Sequence, residues 1–213
     1  MKLAIVIDVV CPWCFVGKRE IEKAMAIRPG VISSIEWRPF QLAPDTPAEG
    51  VDRKLYYQRL FGDTAQLAEM RRHLKNRGEA LGIDFDFESD CLIANTLDAH
   101  RLIRWAGPAG CQDIVVEALM EQYFEKAAFL GDKTLLCDIA ESAGMERASV
   151  AELLATDRDA ALVRQDIQQA NNMGVSGVPF FIFDGKAAIS GAQSSEIFVQ
   201  IFDRLSGEER IEE

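Results

Sequence analysis

Two cysteines separated by two residues stand near the start of the chain, in the stretch VVCPWCFVGKRE. Cys11 and Cys14 have a spacing that suits half of a zinc site, a structural disulfide or a redox-active dithiol. At the start of a helix this spacing puts both sulfur atoms on one side of the first turn, within reach of a disulfide bond. The three kinds of site differ in what else they require from the chain.

A zinc site requires two further ligands, and the sequence offers no second Cys-x-x-Cys pair and no His-x-x-x-His pair. The other candidate ligands are scattered: His73, His100, Cys91, Cys111 and Cys137. The odd total of five cysteines is also unlike the framework of a disulfide-stapled secreted domain. These counts disfavour zinc and a secreted disulfide framework. A pair of buried structural thiols remains an alternative, but the position of the pair between a strand and a helix favours redox chemistry.

A redox interpretation gives the two cysteines different roles. Cys11 should precede a helix, whose free N–H groups and dipole favour a thiolate, so we expect it to be the nucleophile. Cys14, one turn inside the helix, would resolve the mixed disulfide by attacking Cys11. Pro12 suits the first helical turn, and Trp13 offers an apolar surface beside the nucleophile. Asp8 is either a proton acceptor for the pair or an ordinary acid at a strand end.

The order of elements around the dithiol predicts an α/β protein. A strand in KLAIVID leads into the helix of the dithiol, and a second strand should end near Pro39. The segments from residue 41 to about 155 are helical in composition and are separated by glycines. β character returns in VPFFIFDGKAAISG, where Asp184-Gly185 predicts a two-residue hairpin turn, and an amphipathic helix follows.

The strands come from both ends of the chain, so they must pack together around an inserted helical domain. We predict the first part of an α/β domain at 1–45, the helical insertion at 46–156 and the second part at 157–213. A substrate cleft is expected between the two domains.

The composition limits the partners. The 213 residues include 34 acidic and 23 basic side chains, a net charge of −11, which disfavours nucleic-acid binding. There is no apolar run of about 18 residues, and the opening MKLAIVIDVV lacks a cleavage site. We therefore expect a cytoplasmic protein without a membrane partner, either a monomer or a homodimer.

Four motifs in a fixed order carry a family resemblance: DVVCPWCFVGKRE, WRPFQLAP, NTLDAHRLIRWAG and GVSGVPFFIFDGKAAISGAQ. Over essentially its whole length the chain resembles the DsbA-like thioredoxin-fold family, most closely its FrnE branch of dithiol oxidoreductases. It is also similar to 2-hydroxychromene-2-carboxylate isomerase and kappa-class glutathione transferase, which usually carry serine where Cys11 stands. The resemblance implies a thioredoxin-like fold with a large inserted all-helical domain.

The resemblance also implies site residues. It predicts that Pro179 follows a cis peptide bond opposite the dithiol, so that backbone groups of Val178 can pair with an extended peptide or with glutathione. It also implies that Asn95 and His100 face the cleft. A helix-capping role for Asn95 and a packed core position for His100 are equally good interpretations. Arg38 would bind a substrate carboxylate or form a surface salt bridge.

Three further predictions concern anions and a third thiol. Free N–H groups near Gln193 and Ser194 could bind a glutathione carboxylate, although simple N-capping by Ser194 is the plainer interpretation. Lys18 and Arg19 could attract anions, but a solvated helix face explains them better. Cys91 is a candidate third redox partner.

Three functions remain. The first is a thiol-disulfide reductase or isomerase that acts on a disulfide-containing peptide or small thiol. It would have no bound cofactor and would be recycled by glutathione or thioredoxin. The second is a glutathione-dependent isomerase or transferase acting on a small aromatic substrate, with glutathione as co-substrate. The third is a non-catalytic peptide-binding module, which explains the dithiol least well.

Overall fold

A four-stranded sheet lies at the centre of the molecule. The computed structural model describes residues 1–62 and 64–207. The strands of the described residues are β1 (Lys2–Ile7), β2 (Ser34–Pro39), β3 (Val51–Asp52), β4 (Leu92–Ile93), β5 (Phe180–Phe183) and β6 (Ala187–Ser190). The central sheet has the order β2-β1-β5-β6, in which β1 pairs parallel with β2 and antiparallel with β5. The mixed α/β class and the thioredoxin-like fold with a helical insertion are confirmed.

Helices cover both faces of this sheet. The helices of the described residues are α1 (Pro12–Ile27), α2 (Arg53–Phe61), α3 (Thr64–Glu79), α4 (Leu97–Ala106), α5 (Gln112–Phe124), α6 (Lys133–Ser142), α7 (Arg147–Leu154), α8 (Ala160–Asn172) and α9 (Ser195–Ser206). Alternate β1 side chains such as Ile5 join the core that includes α1 and α9, whereas Val6 packs with Ala170 of α8. The alternation follows from the two-residue period of a strand.

The helical insertion shares its core with the sheet. Phe15 of α1 stacks with Phe124 at a centroid distance of 6.1 Å and meets the edge of Phe85 at 6.2 Å. The short strands β3 and β4 form an antiparallel pair inside the segment that was expected to be wholly helical. Docking on a common core holds the insertion against the helix that carries the dithiol.

The glycines that the sequence places between elements lie in turns or directly after helices. Asp184 and Gly185 both have positive φ angles, 51° and 67°, as expected for the hairpin between β5 and β6. Gly174 has a φ of 84° directly after the C-cap of α8. None of the helices in residues 1–62 and 64–207 is long and apolar enough to cross a membrane.

Candidate active site

A tight turn after β1 places Cys11 at the start of α1. The backbone N–H of Cys11 donates to the Asp8 carbonyl and that of Cys14 donates to the Cys11 carbonyl, both at 3.0 Å. Cys11 is the N-cap residue, and Pro12 occupies the first turn as predicted. The Cys11 side chain makes no capping hydrogen bond. Its sulfur atom therefore lies where the helix dipole favours a negative charge.

A cis proline faces the first cysteine. The Val178–Pro179 peptide bond is cis, as the family resemblance implied. The Cys11 thiol donates to the Val178 carbonyl at 3.5 Å, although the two residues are 167 positions apart. A Cβ atom at Gly17 would lie 2.9 Å from Cγ of Pro179, so α1 needs a glycine for this close approach. The predicted pairing of dithiol and prolyl loop is confirmed.

The second cysteine is enclosed. Cys14 is 1% exposed, and burial raises the pKa of its thiol well above the ordinary value. A hydrogen bond with Cys11 and the charge of a Cys11 thiolate raise this pKa further. A hydrogen bond with the Asp8 backbone acts in the opposite direction. The two cysteines are thus in contact but unequal, because Cys14 holds its proton more tightly than a free thiol.

A buried carboxylate and imidazole lie beside the dithiol. Asp8 is fully buried, and its Oδ2 accepts a hydrogen bond from the Leu42 backbone at 2.8 Å. Nε2 of His100 lies 2.8 Å from the Phe40 carbonyl and 3.5 Å from Oδ1 of Asp8. Oδ1 of Asp8 and Nδ1 of His100 have no hydrogen-bond partner. The resemblance placed His100 near the site, but its contact with Asp8 was not predicted.

The family model for the DsbA-like thioredoxin domain matches residues 2–203, which include the dithiol, the prolyl loop and the helical insertion. The chain belongs to the DsbA-like thioredoxin family.

Known proteins support this membership. A crystal structure of a probable DsbA oxidoreductase from Streptomyces coelicolor is 29% identical, with a TM-score of 0.89, and the match covers 100% of this chain and 93% of that one. The uncharacterized protein YwbO of Bacillus subtilis is 27% identical over 192 residues, 90% of each chain. A 2-hydroxychromene-2-carboxylate isomerase shares the fold, with a TM-score of 0.75 at 15% identity over 98% of this chain and 97% of that one.

The helical insertion of this DsbA-like protein contributes aromatic side chains that sequence reasoning missed. His73 of α3 lies over the half-buried Trp13, with ring centroids 5.7 Å apart. Burial, followed by the charge of Cys11, raises the pKa of Tyr57, which places the α2 phenol near the nucleophile. No local sequence signal marks either residue, because both depend on how α2 and α3 dock.

The side chain of Asn95 is held by hydrogen bonds within the protein. Its Oδ1 accepts hydrogen bonds from Gln41 at 2.9 Å and from the Leu97 backbone at 3.1 Å. Its Nδ2 donates to the carbonyls of Pro44 and Thr46 at 3.0 and 3.1 Å. All four hydrogen-bonding positions of this amide thus hold the loop after β2 against the start of α4, and a role of Asn95 in substrate binding stays a prediction.

Arg38 forms the salt bridge that was its alternative interpretation, with Glu36 at 2.9 Å. It lines a cleft of ≈ 650 Å³ between β2, α4 and α8. His100 reaches the wall of this cleft, but neither Cys11 nor Cys14 lines it. The position of Arg38 therefore does not mark the dithiol site directly.

Groups of the protein itself bond to backbone N–H groups before and at the start of α9. The Ser195 N–H donates to the carboxylate of Glu20 at 2.9 Å, and the Gln193 N–H donates to the Gly191 carbonyl at 2.9 Å. The Gln193 side chain donates to the Ser190 carbonyl at 2.8 Å. The N–H of Gln193 is therefore not free, and a carboxylate of the protein itself binds the N–H of Ser195. Ser194 is the N-cap residue of α9 but makes no capping hydrogen bond with its side chain. Anion binding at Gln193 and Ser194 stays a prediction.

Lys18 and Arg19 do not form a solvated face. Lys18 is 2% exposed and pairs with Glu22 and with Glu117, the latter at 2.8 Å. Arg19 pairs with the same two glutamates. These cations therefore fasten α1 to α5 and are not available for a ligand.

Cys91 is buried. Its sulfur lies 3.6 Å from the Leu92 carbonyl and 4.0 Å from the Ala128 carbonyl. Burial raises the pKa of this thiol, with a smaller opposing effect of Arg53. Its role as a third redox partner stays a prediction.

Proposed function

We propose that this DsbA-like protein is a thiol-disulfide oxidoreductase in which Cys11 attacks and Cys14 resolves. The observation that carries the proposal is the contact between the two thiols at the start of α1, with Cys11 under the Val178 carbonyl. Cys11 stands at the start of the helix without a capping hydrogen bond from its side chain, whereas burial raises the pKa of the Cys14 thiol and so keeps it protonated. Such a division of roles suits disulfide exchange.

The reduction of a substrate proceeds in two exchanges. The Cys11 thiolate attacks one sulfur of the substrate disulfide, the S–S bond breaks, and the other sulfur leaves as a thiolate that takes up a proton. Cys14 then loses its proton and attacks the sulfur of Cys11. The second substrate thiolate leaves, and the pair becomes a disulfide. The substrate has gained the two electrons that the dithiol lost.

Asp8 is the proposed acceptor of the Cys14 proton. It is a buried carboxylate whose Oδ1 has no hydrogen-bond partner, and its charge contributes to the raised pKa of Cys14. His100, 3.5 Å from that oxygen, would hold the carboxylate in place during the transfer. Proton transfer by a positioned group commonly accelerates such a step by about 10²-fold or more.

The substrate is proposed to bind as an extended segment along the prolyl loop. Backbone groups of Val178 lie next to Cys11, at the point where a peptide strand would bring its disulfide. Trp13 adds an apolar surface on the other side of the nucleophile. A disulfide-containing peptide or small disulfide fits this arrangement.

An external thiol must return the pair to its reduced state, and glutathione or a thioredoxin-type dithiol has the required chemistry. We propose a reductive role in a reducing compartment such as the cytoplasm, for which the five free cysteines are the supporting observation. Measuring the reduction potential of the Cys11–Cys14 couple against glutathione buffers tests the direction of electron flow. A potential far above that of the glutathione pool would contradict a reductive role.

The test of the proposal is the reduction of a disulfide by dithiothreitol with catalytic amounts of protein. Cys11→Ser should abolish turnover. Cys14→Ser, reduced and then freed of dithiothreitol before the disulfide is added, should hold a mixed disulfide on Cys11 that mass spectrometry detects. Cys111→Ser is the matched control, because this buried cysteine bonds only to the Ala106 carbonyl among the described contacts and should leave turnover unchanged. Full multiple-turnover activity in Cys14→Ser would instead support a glutathione-dependent isomerase or transferase.

A further inference from the structure

We propose that the helical insertion restricts the substrate to low-molecular-weight disulfides and short flexible peptides, and excludes disulfides held in folded proteins. This inference rests on the proposed oxidoreductase function and adds the substrate class. Its starting observation is the burial of the nucleophile, since Cys11 is 4% exposed. Exchange requires a substrate sulfur to reach the Cys11 sulfur directly, so the elements that enclose this atom also select what can react.

Helix α3 of the insertion lies along α1, beginning next to the nucleophile. The His73 ring lies over Trp13 in the first turn of α1, with ring centroids 5.7 Å apart. One turn further along α3, Arg77 donates to the Glu20 carboxylate at 2.7 Å. His73 and Arg77 are four residues apart and share one face of their helix. This face of α3 therefore covers α1 from Trp13 to Glu20.

The packing of α3 holds it in this position. Leu74, next to His73, is buried in the core that includes Phe15 of α1. A Cβ atom at Gly78 would lie 2.5 Å from the ring of Phe85, so α3 packs directly against that ring. The same Phe85 ring meets the edge of Phe15 at 6.2 Å. Moving α3 away from the dithiol would therefore expose a closely packed apolar core.

Helix α2 approaches the nucleophile as well. Burial and then the charge of Cys11 raise the pKa of Tyr57, as expected for a phenol close to that sulfur. The guanidinium of the buried Arg53, at the start of α2, donates to the carbonyls of Asp86 and Ser89 at 2.8 and 3.1 Å. These hydrogen bonds fasten the first turn of α2 to the rest of the insertion, so both covering helices are held in place.

This enclosure separates substrates by bulk. The Cys11 thiol lies against the Val178 carbonyl at 3.5 Å, with the half-buried rings of Trp13 and Tyr57 nearby. A disulfide in a folded protein is surrounded by its own backbone, which would meet α2 and α3 before the sulfur reached Cys11. A small disulfide carries no such bulk, and the aromatic rings suit apolar groups next to its sulfur atoms.

The experiment compares two pyridyl disulfides that release the same thiopyridone, whose absorbance reports both reactions. One is the pyridyl disulfide of N-acetylcysteine amide, and the other is on an exposed cysteine of a folded carrier protein. Cys11 of the reduced protein, freed of dithiothreitol, bonds to the cysteine sulfur and thiopyridone leaves with the electron pair of the broken bond. Cys14 then displaces the cysteine thiolate.

Free glutathione reacted with each compound corrects for intrinsic reactivity. After this correction, we expect the rate constant of the wild-type protein to be at least about thirtyfold higher for the small disulfide than for the carrier. His73→Ala uncovers Trp13 and should raise the corrected rate constant for the carrier about threefold or more. His73→Phe keeps a ring over Trp13 and should keep the wild-type ratio. Lys75→Ala, exposed on another face of α3, is the control with an unchanged ratio.

Equal corrected rate constants for the two disulfides in the wild-type protein would overturn the proposed restriction. An unchanged ratio in His73→Ala would show that α3 does not limit access, and equal losses in His73→Ala and His73→Phe would show that the imidazole does not act through its bulk. If His73→Ala does not fold, the wild-type comparison and His73→Phe still decide. Release of thiopyridone from neither disulfide would count against the oxidoreductase function itself.

Discussion

Asp8 and Lys18 are both buried charged residues near the start of the chain, and both contact the helical insertion, but their surroundings differ. Lys18 of α1 faces three carboxylates, from Glu22, Glu117 and Asp113. Asp8 has one imidazole at 3.5 Å and an oxygen without a hydrogen-bond partner. One group is surrounded by opposite charges, whereas the other is left incompletely satisfied.

This difference suits a structural role for Lys18 and, in the proposed mechanism, a chemical role for Asp8. Burial by itself lowers the pKa of Lys18, but hydrogen bonds with Glu117 and Glu22 outweigh it, so this lysine holds its proton strongly. A fixed charge in a complete network serves to hold α1 against α5. The buried carboxylate of Asp8 instead has one oxygen without a hydrogen-bond partner, and this is the oxygen to which the proposed mechanism assigns the Cys14 proton.

The largest expected effect on stability comes from the complete network. Lys18→Met should lower the free energy of unfolding by about 1–2 kcal/mol, because Glu117 and Glu22 lose a buried partner and keep only Arg19. Urea unfolding measures this change. Lys23→Met, on the exposed face of the same helix, should change stability by less than about 0.5 kcal/mol. Turnover per folded molecule should be unchanged in both variants. A loss of turnover in folded Lys18→Met would contradict a purely structural role for Lys18.

The next effect concerns rate. Asp8→Asn keeps the acceptor for the Leu42 N–H but removes the proposed proton acceptor, so kcat/KM for disulfide reduction at pH 7 should fall about tenfold or more. The free energy of unfolding should stay the same or rise, since an uncompensated charge leaves the interior. Asp113→Asn, in the Lys18 network, is the matched control with unchanged kcat/KM. If Asp8→Asn is less stable than the wild type but fully active, Asp8 has a structural role and is not the proton acceptor.

The smallest effect is a pH dependence of stability in the reduced protein. The raised pKa of Cys14 means that the unfolded chain loses this proton first as the pH rises. Stability from this group is therefore complete below the ordinary thiol pKa of about 8.5 and falls above it, by up to about 1.4 kcal/mol per pH unit. Urea unfolding between about pH 8 and 10 should show this slope in the wild type.

The matching variant for the pH experiment is Cys14→Ser, in which the group that titrates is absent. Its free energy of unfolding should decline less steeply over the same range, and the difference between the two slopes isolates Cys14 from other groups. Parallel slopes would show that the burial of Cys14 has no thermodynamic consequence.

Local features of the sequence determined much of the fold. The spacing of Cys11 and Cys14, the turn at Asp184-Gly185 and the end of α8 at Gly174 depend on a few neighbouring residues, whose conformational preferences act wherever the chain packs. The position of Pro179 opposite the dithiol was available only through the family resemblance, since a lone X–Pro bond favours trans.

The tertiary structure decided which charges meet. Glu20 and Ser195 are 175 positions apart in the chain. His100 likewise approaches Asp8 from a distant helix. No local pattern in the sequence predicts either contact. The sequence by itself determined a dithiol at a helix start in a thioredoxin-like protein. Only the packing of α3, α4 and α9 decided that Oδ1 of Asp8 has no hydrogen-bond partner and that Glu20 binds Ser195 and Arg77, because burial and long-range approach set the energy of a charge.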